Sequence, residues 1–530
     1  MLIMKKVNYI GRFAAVLFTL ALVGACSEDT MDGINKYDRY PLDVQTQFLL
    51  PDVIVRTADR TVGGDFNLYA SVYVEHEGGV HNQLYNAEIR SVEPISASTY
   101  NNTWNGAYRA LANARTLIKR TTEGGDEAGS KVTEGIGRIL LAYNGAVLTD
   151  VFGDTPYSEA GVKDEVGMPV YRMPKIDKQE DIYADVFKQL DEAIALLETG
   201  ETGPIGLAAA NDYIYRAEPK KWIQVAYGLK ARYTMRLLNK SANKEADLKN
   251  ILTYIDKAFP SALDQFSMGI YDGTTQMNPF AAFSYARYAL GISKSFLDKL
   301  TQRNDPRANQ LFIHKYPEKK PVSDLSQLII VPNGDIDNIT IGQQVYSRFI
   351  TDVASNAPVH LMSYHKLLFL KAEAYARLGE KDNAETALKE AMIAGFANLS
   401  GSIEGAYTMG DISELPENFD LSKDVCLAYY DAEIKTLFDA NPLKEIMLQK
   451  YLAMNGANCE SLEIYNDVRR LMGANENFIT LANPQNAQNM FPHRYVYGNS
   501  DRAVNPEIEA LVGNGQYVYT EKVWWAGGSR

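Results

Sequence analysis

The sequence predicts a mainly α-helical fold. Long stretches place apolar residues at helical spacing, and one stretch carries the signature of a helix-hairpin repeat. Strand-like patterning is confined to short runs at 328–332 and 344–350. Of the 530 residues, 46% are hydrophobic and 22% charged, which excludes long disorder, collagen-like repeats and a disulfide scaffold. At about 150 residues per domain, a chain of this length holds roughly three or four domains or one large one.

The first 25 residues read as a leader rather than as fold. They carry Lys5, Lys6 and Arg12 and no acid, then an apolar run over 13–22. That run is too short to span a bilayer. The stretch Leu22-Val23-Gly24-Ala25-Cys26 resembles a bacterial lipobox, so residues 1–25 are expected to be a lipoprotein signal peptide and Cys26 the lipidated new N-terminus. Several acyl chains on one cysteine give stable anchoring, at about 0.8 kcal/mol per buried CH₂. Residues 26–39 are polar, begin Ser27-Glu28-Asp29 after the cysteine, and read as a tether. Residues 40–530 are expected to form one domain.

The helices follow in chain order. Over 101–119, Trp104, Ala107, Tyr108, Leu111 and Ile118 lie near one side, and 134–149 is a second apolar helix. Over 180–198, Ile182, Val186, Leu190, Ile194 and Leu197 form a stripe, and Asp177 with Glu180 reads as a capping box. Over 218–239, Pro219 stands near the first helical position and Trp222, Val225, Ala226, Leu229, Tyr233 and Leu237 share a face. Further helices are expected at 293–301, 361–378, 382–395, 426–440, 443–454 and 460–472. In one frame of about 34 residues, Leu368, Ala372, Tyr375, Gly379, Ala384, Leu388 and Ala391 match the tetratricopeptide pattern. Small residues there let two helices approach closely. Pairs of this kind are expected around 101–150, 180–239, 361–395 and 426–472, interrupted by insertions at 151–179 and 240–292.

Charge and composition narrow the function. Lys+Arg is 53 against Asp+Glu 66, a net charge of −13, and nucleic-acid binders usually show the opposite balance. Tyrosine is abundant, 33 against 19 Phe and 4 Trp, which suits surfaces that are apolar on one side and wet on the other. His76/His81 and His360/His365 miss the i,i+4 spacing of a zinc helix, and no calcium loop pattern is present, so no metal or cofactor is expected. Cys426 and Cys459 stand in no CxxC motif and are expected to be buried free thiols, with a disulfide between them as the alternative in an exported protein. Asp154 and Glu159 sit in one turn, but a glycosidase needs two carboxylates at a defined separation in space; Asp154 is expected to bond its own turn. Arg469 and Arg470 are expected to pair with acids such as Asp467, and Trp524-Trp525 to pack the tail on the domain or on a partner.

The motifs resemble one family along nearly the whole chain. Phe152-Gly153-Asp154-Thr155-Pro156-Tyr157-Ser158-Glu159-Ala160 resembles the FGDxPYSEA segment of SusD/RagB-like outer-membrane lipoproteins. Pro174 followed by Gln179, Ile182, Tyr183, Leu190, Asp191 and Ala193 resembles their next helix. So does Trp222 followed by Leu229-Lys230-Ala231-Arg232 and Met235-Arg236. Asp305-Pro306-Arg307, Gln449-Lys450-Tyr451 and Glu460 followed by Tyr465-Asn466-Asp467-Val468-Arg469-Arg470 continue the series in the family's order. Near the end Arg494, Tyr497 and Asn505 fit, whereas Gly498 stands for the family's proline and Asp501 for its glutamate.

The resemblance implies a mostly helical SusD-like fold of tetratricopeptide-like pairs under a loop-rich binding lobe. It implies a Bacteroidetes outer-membrane lipoprotein facing the cell exterior, which binds an oligosaccharide or polysaccharide. That ligand would pass to a partner SusC-like TonB-dependent transporter, and no reaction would be catalysed. The alternative within the same architecture is a RagB-like peptide binder. The family's ligand site draws on the stretch before the DPR turn. Here that stretch is 266–288, whose Gly and Pro interruptions read as a loop. It holds Tyr271, Asp272, Asn278, Phe280, Phe283, Tyr285, Arg287 and Tyr288. The site also draws on the region around the first helix pair, here Tyr100, Asn101, Asn102, Trp104 and Asn105. Aromatic faces stack on sugar C–H surfaces and amide or charged groups bond the hydroxyls, which is why these residue types are the candidates.

Overall fold

The hydrophobic stripes of the sequence become helices that stack on one another in chain order. The structure, a computed structural model, describes residues 44–91, 100–165, 167–200, 209–340 and 345–530. The leader, Cys26 and the tether lie outside the described residues. From Thr46 to Arg530 the chain forms one contiguous unit. Its N-terminal helices are α1 (Thr46–Arg56), continued by a π-helical turn Thr57–Val62, then α2 (Asp65–Tyr73) and α3 (Asn82–Glu88), with strand β1 (Glu77–Gly79) between the last two. The central helices are α4 (Asn101–Thr121), α5 (Lys131–Phe152), α6 (Gln179–Glu198), α7 (Pro219–Arg236) and α8 (Lys244–Ile255). After a strand-rich stretch come α9 (Pro279–Arg287), α10 (Lys294–Thr301), α11 (Tyr364–Leu378) and α12 (Lys381–Thr408). α13 (Lys423–Tyr429), α14 (Lys435–Ala440), α15 (Pro442–Ala453) and α16 (Ser461–Gly473) complete the set used here.

Each of α4 to α8 packs on the next, α8 packs on α11, α11 on α12, and α12 on α15. The tetratricopeptide reading of 364–391 holds. Ala372, Ala384, Leu388 and Ala391 are fully buried between α11 and α12, and Gly379 closes α11 at φ 79°, a left-handed turn that glycine adopts without strain. Three expectations change. Residues 361–362 belong to a strand, and α11 starts at Tyr364 after Ser363, whose hydroxyl caps Lys366 N. α8 occupies part of 240–292, a stretch expected as an insertion, and packs on α7. α16 leaves the stack of α11, α12 and α15 and packs on α2 and on the Trp524–Ala526 turn, tying the two ends of the fold together.

The start of α6 also differs from expectation. Its N-cap is Lys178, without a side-chain cap. Asp177 instead accepts hydrogen bonds from Tyr157 N at 3.0 Å and Ser158 N at 2.6 Å. The free N–H of Gln179 donates to Asp154 at 2.9 Å, so Asp154 caps a helix 25 residues away rather than its own turn. Glu159 accepts from Lys175 N at 2.9 Å. Both carboxylates thus hold the 151–179 segment to its own backbone, alongside the antiparallel pair β2 (Thr155–Pro156) and β3 (Ile176–Asp177).

The charged residues of the motifs form a buried network. Glu463 on α16 binds Arg236 on α7 at 2.8 Å and Lys366 on α11, and Arg236 lies 3.6 Å from Asp150 on α5. Asp467 binds Lys450 on α15 at 2.6 Å and Arg470 at 3.1 Å, and Arg470 reaches Glu373 on α11 at 2.8 Å. Burial by itself would raise the Glu463 carboxyl. The cations of Lys366, Arg236 and Arg232 reverse that and hold it well below the ordinary carboxylate range. Trp525 is fully buried, with Arg236 and Arg469 over its ring at 5.2 and 4.9 Å, so the C-terminal tail packs on the domain. Cys426 and Cys459 are buried free thiols.

Candidate functional site

Short strands assemble the binding lobe. Strand β4 (Phe266–Met268) pairs with β9 (Val359–Met362), and β5 (Leu290–Ile292) pairs with β1. A three-stranded sheet runs in the order β7 (Pro321–Val322), β6 (Phe312–Ile313), β8 (Arg348–Phe349). The expected strand at 344–350 is present only as β8, and at 328–332 only Val331 bridges, to Ser293. The stretch 266–288 is not a loop: it holds β4 and the nine-residue helix α9.

That local order sends Tyr271, Asn278 and Phe280 inward. Asn278 caps α9, accepting from Phe280 N at 2.9 Å and Ala281 N at 3.2 Å, while its amide donates to the carbonyls of Ala357 and Ala457, both at 2.8 Å. It is fully buried, as is Phe280. Phe283 packs against the core. Tyr271 is 6% exposed and donates to Asp59 on the π-turn at 2.6 Å. Asp272 is exposed, but its carboxylate accepts from Thr274 N at 2.8 Å and Gln276 N at 2.9 Å, which shapes its turn and holds it below the usual carboxylate range.

Trp104 is 1% exposed. Its ring packs on Tyr108 at 4.6 Å and Phe152 at 4.8 Å, and its N–H donates to Asp501. A Cβ at Gly498 would run into the indole. The departures from the family pattern at 498 and 501 therefore both fall on Trp104, which is among the ligand-binding candidates of the sequence and here packs into the core. Beside it, Asn105 is exposed and Asn101 half-buried, and each accepts from the Ser500 hydroxyl at 3.2 Å.

The predicted aromatics that remain partly exposed are Phe283, Tyr285 and Tyr288, with Arg287 exposed beside Tyr288. Tyr288 follows α9 at φ 50°, a left-handed conformation that a bulky residue adopts only under constraint. The β6–β7 hairpin delivers a residue the sequence analysis missed. Ile313 pairs with Pro321, so the turn between them carries Tyr316, whose ring lies 4.1 Å from that of Tyr288 at 42°. Ile313 also faces Arg348 across β8, and the Arg348 guanidinium lies 5.7 Å from the Tyr316 ring. Tyr285 donates to Asp411 at 2.8 Å, and Asp411 is fixed in turn by Ser355 N and Oγ at 2.8 and 2.6 Å. The only sequence signal for Tyr316 is a Tyr-Pro step in a lysine-rich turn; Arg348 and Asp411 give none.

The result is a group of half-buried tyrosines, Tyr285, Tyr288 and Tyr316, on a floor formed by Arg348, with Asp411 orienting one phenol. Such a group offers stacking faces and hydroxyls but no paired carboxylates or nucleophile. Among the described residues no cluster of His, Cys, Asp and Glu suited to a metal is found, and no helix is long and apolar enough to cross a membrane. A separate cavity of about 540 Å³ is lined by Lys294, Ser295, Asp298, Asn333 and Asp335 among others, and by none of the predicted site residues.

Solved structures share this architecture. A SusD/RagB family protein from Bacteroides thetaiotaomicron is 45% identical, with a TM-score of 0.86, over 92% of this chain and all of that one. A chitin-binding protein shares the fold at 23% identity and a TM-score of 0.65, over 90% of this chain and 99% of its own. A Bacteroidetes SusD-like protein does so at 20% identity and 0.67, over 91% of this chain and all of its own. No curated protein matches the chain. The family model described as "starch-binding associating with outer membrane" matches residues 43–498, and the chain belongs to this SusD-like family of outer-membrane-associated binding proteins.

Proposed function

We propose that the protein is a surface lipoprotein that binds a glycan and delivers it to a SusC-like TonB-dependent barrel. The observation that carries the glycan reading is the group Tyr285, Tyr288 and Tyr316, held half-exposed on α9 and the β6–β7 hairpin. Tyrosine rings stack on sugar C–H faces, and a side chain held in place by its neighbours loses less entropy on binding. The family's description as starch-binding and the chitin-binding relative of the same fold support a polysaccharide ligand. In this reading residues 1–25 are removed, Cys26 carries the lipid, 26–39 form the tether, and 40–530 act as one lid over the barrel. Asn101 and Asn105 with Ser500 form a second polar patch, which we count among the candidate ligand contacts.

Affinity electrophoresis of the purified protein against starch, chitin oligosaccharides, pectins and host glycans tests the glycan half. Retardation by one class supports it. Silence on every glycan, with heat from a peptide mixture in calorimetry, would replace it with the peptide-binding alternative. Co-purification of a large barrel protein from detergent-solubilised outer membrane tests the partner.

A further inference from the structure

Arg348 is 4% exposed, yet its Nε and Nη1 atoms have no hydrogen-bond partner and no carboxylate among the described residues lies within ion-pair distance of it. Its guanidinium lies over the Tyr316 ring, and a ring can cover a guanidinium without using any of its N–H groups. A buried cation left in this state is costly, and an arginine's N–H fork matches a carboxylate. Asp352 is the acid whose charge acts on it, but Asp352 and Glu77 are both fully buried and interact with each other, and burial raises both carboxyls.

The rim has the same sign. On a chain of net charge −13, the turn between β6 and β7 carries Lys315, Lys319 and Lys320 against Glu318 alone. Arg287 stands exposed next to Tyr288. Lys319 donates to Gly410 O at 2.7 Å, which fixes the turn close to Asp411, and Lys320 pairs with Glu414 at 3.4 Å. Counting Asp411 on Tyr285, Glu318 and the Glu414 that pairs with Lys320, cations are still in excess around the tyrosine group on an otherwise acidic protein.

We infer that Arg348, supported by Arg287 at the rim, sets the specificity of the tyrosine site for acidic glycans, its uncompensated charge beneath the Tyr316 ring attracting uronic-acid carboxylates. This rests on the reading that the Tyr285–Tyr288–Tyr316 face binds a glycan. Stacking alone does not distinguish a uronic acid from its neutral ester; Arg348 does.

The test is calorimetry of the full chain with polygalacturonate, hyaluronan and alginate, and with fully methyl-esterified polygalacturonate as the neutral counterpart. At least one acid polymer is expected to bind about tenfold or more tighter than the neutral polymer, the scale of a charged hydrogen bond. Added salt should erode that preference. Arg348→Gln should abolish it, and Arg348→Lys should restore part of it. If Arg348→Gln fails to fold by thermal melt, the exposed Arg287→Gln should still lower acid-polymer affinity severalfold. Equal binding of acid and neutral polymers overturns the inference. So does a preference that survives these variants, or failure of all three acid polymers. In each case the glycan reading survives if some neutral glycan is bound and Tyr288→Ala releases it; if no glycan binds, both fall.

Discussion

Arg236 and Glu463, 227 residues apart in sequence, hydrogen-bond at 2.8 Å inside the core. The pair joins α7 to α16, and Lys366 on α11 meets the same carboxylate oxygen. Glu463→Gln leaves Lys366, Arg236 and Arg232 facing one another without their counter-charge. Truncating a buried ion pair costs about 3–5 kcal/mol. The urea midpoint should fall by that equivalent with the slope unchanged. A loss under about 1 kcal/mol would show that Asp150 and Asp467 suffice for the cations.

The same network sets the acid limit of the fold. Burial pushes the Glu373 carboxyl up, and Arg470, Arg377 and Lys450 outweigh it, bringing it to about 2. Glu460 is likewise taken to about 2, burial being outweighed by His365. A carboxyl depressed in the native state contributes its stability above its unfolded value, 4.5 for glutamate, and loses it as pH falls through the folded value. Thermal midpoints should therefore drop steeply between about pH 4.5 and pH 2. Glu373→Gln should lower the midpoint at pH 7 and flatten that drop.

The Glu77–Asp352 pair has the opposite sign. Burial raises both carboxyls, Asp352 to about 7. A raised carboxyl stabilises below its unfolded value and loses that contribution as pH rises through the folded one. Glu77→Gln keeps a donor for Asp352 and removes one charge. The variant should be more stable than the parent at pH 8, and the difference should shrink towards pH 4. Equal stability at pH 8 would mean that Arg348 already compensates the second charge.

Trp104 should behave as a core residue. Trp104→Ala is expected to cost about 3–5 kcal/mol, the range for large aromatic truncations. Gly498→Ala should destabilise through the same contact, since its Cβ has nowhere to go but the indole. Stability measured by chemical denaturation checks both. A Trp104→Ala protein of native stability would return Trp104 to the list of surface platforms.

The helices were legible because period-3.6 stripes are local and long, as in 180–198 and 364–391. α9 was not, because nine residues flanked by Gly and Pro give too little periodicity. Its real signal was the Asn278-Pro279 step, a cap followed by a first-turn proline. Strands of two to four residues leave no alternation to read, so the sheet that brings Arg348 and Tyr316 together was invisible. The candidate site was legible in part. Tyr285, Arg287 and Tyr288 stay at the surface, whereas Asn278, Phe280 and Trp104 are spent on packing and capping. Which way an aromatic faces is decided by partners far away in sequence, such as Asp59 for Tyr271 and Asp411 for Tyr285.

The central claim is that the tyrosine face takes the ligand. The direct measurement is calorimetric affinity of the parent and of Tyr288→Ala/Tyr316→Ala for whichever glycan the electrophoresis retards. Both side chains are partly exposed, so the variant should melt within a few degrees of the parent. Its affinity should fall at least about tenfold, from the loss of two stacking faces. A folded double variant with unchanged affinity would contradict the account and move the site off α9 and the β6–β7 hairpin.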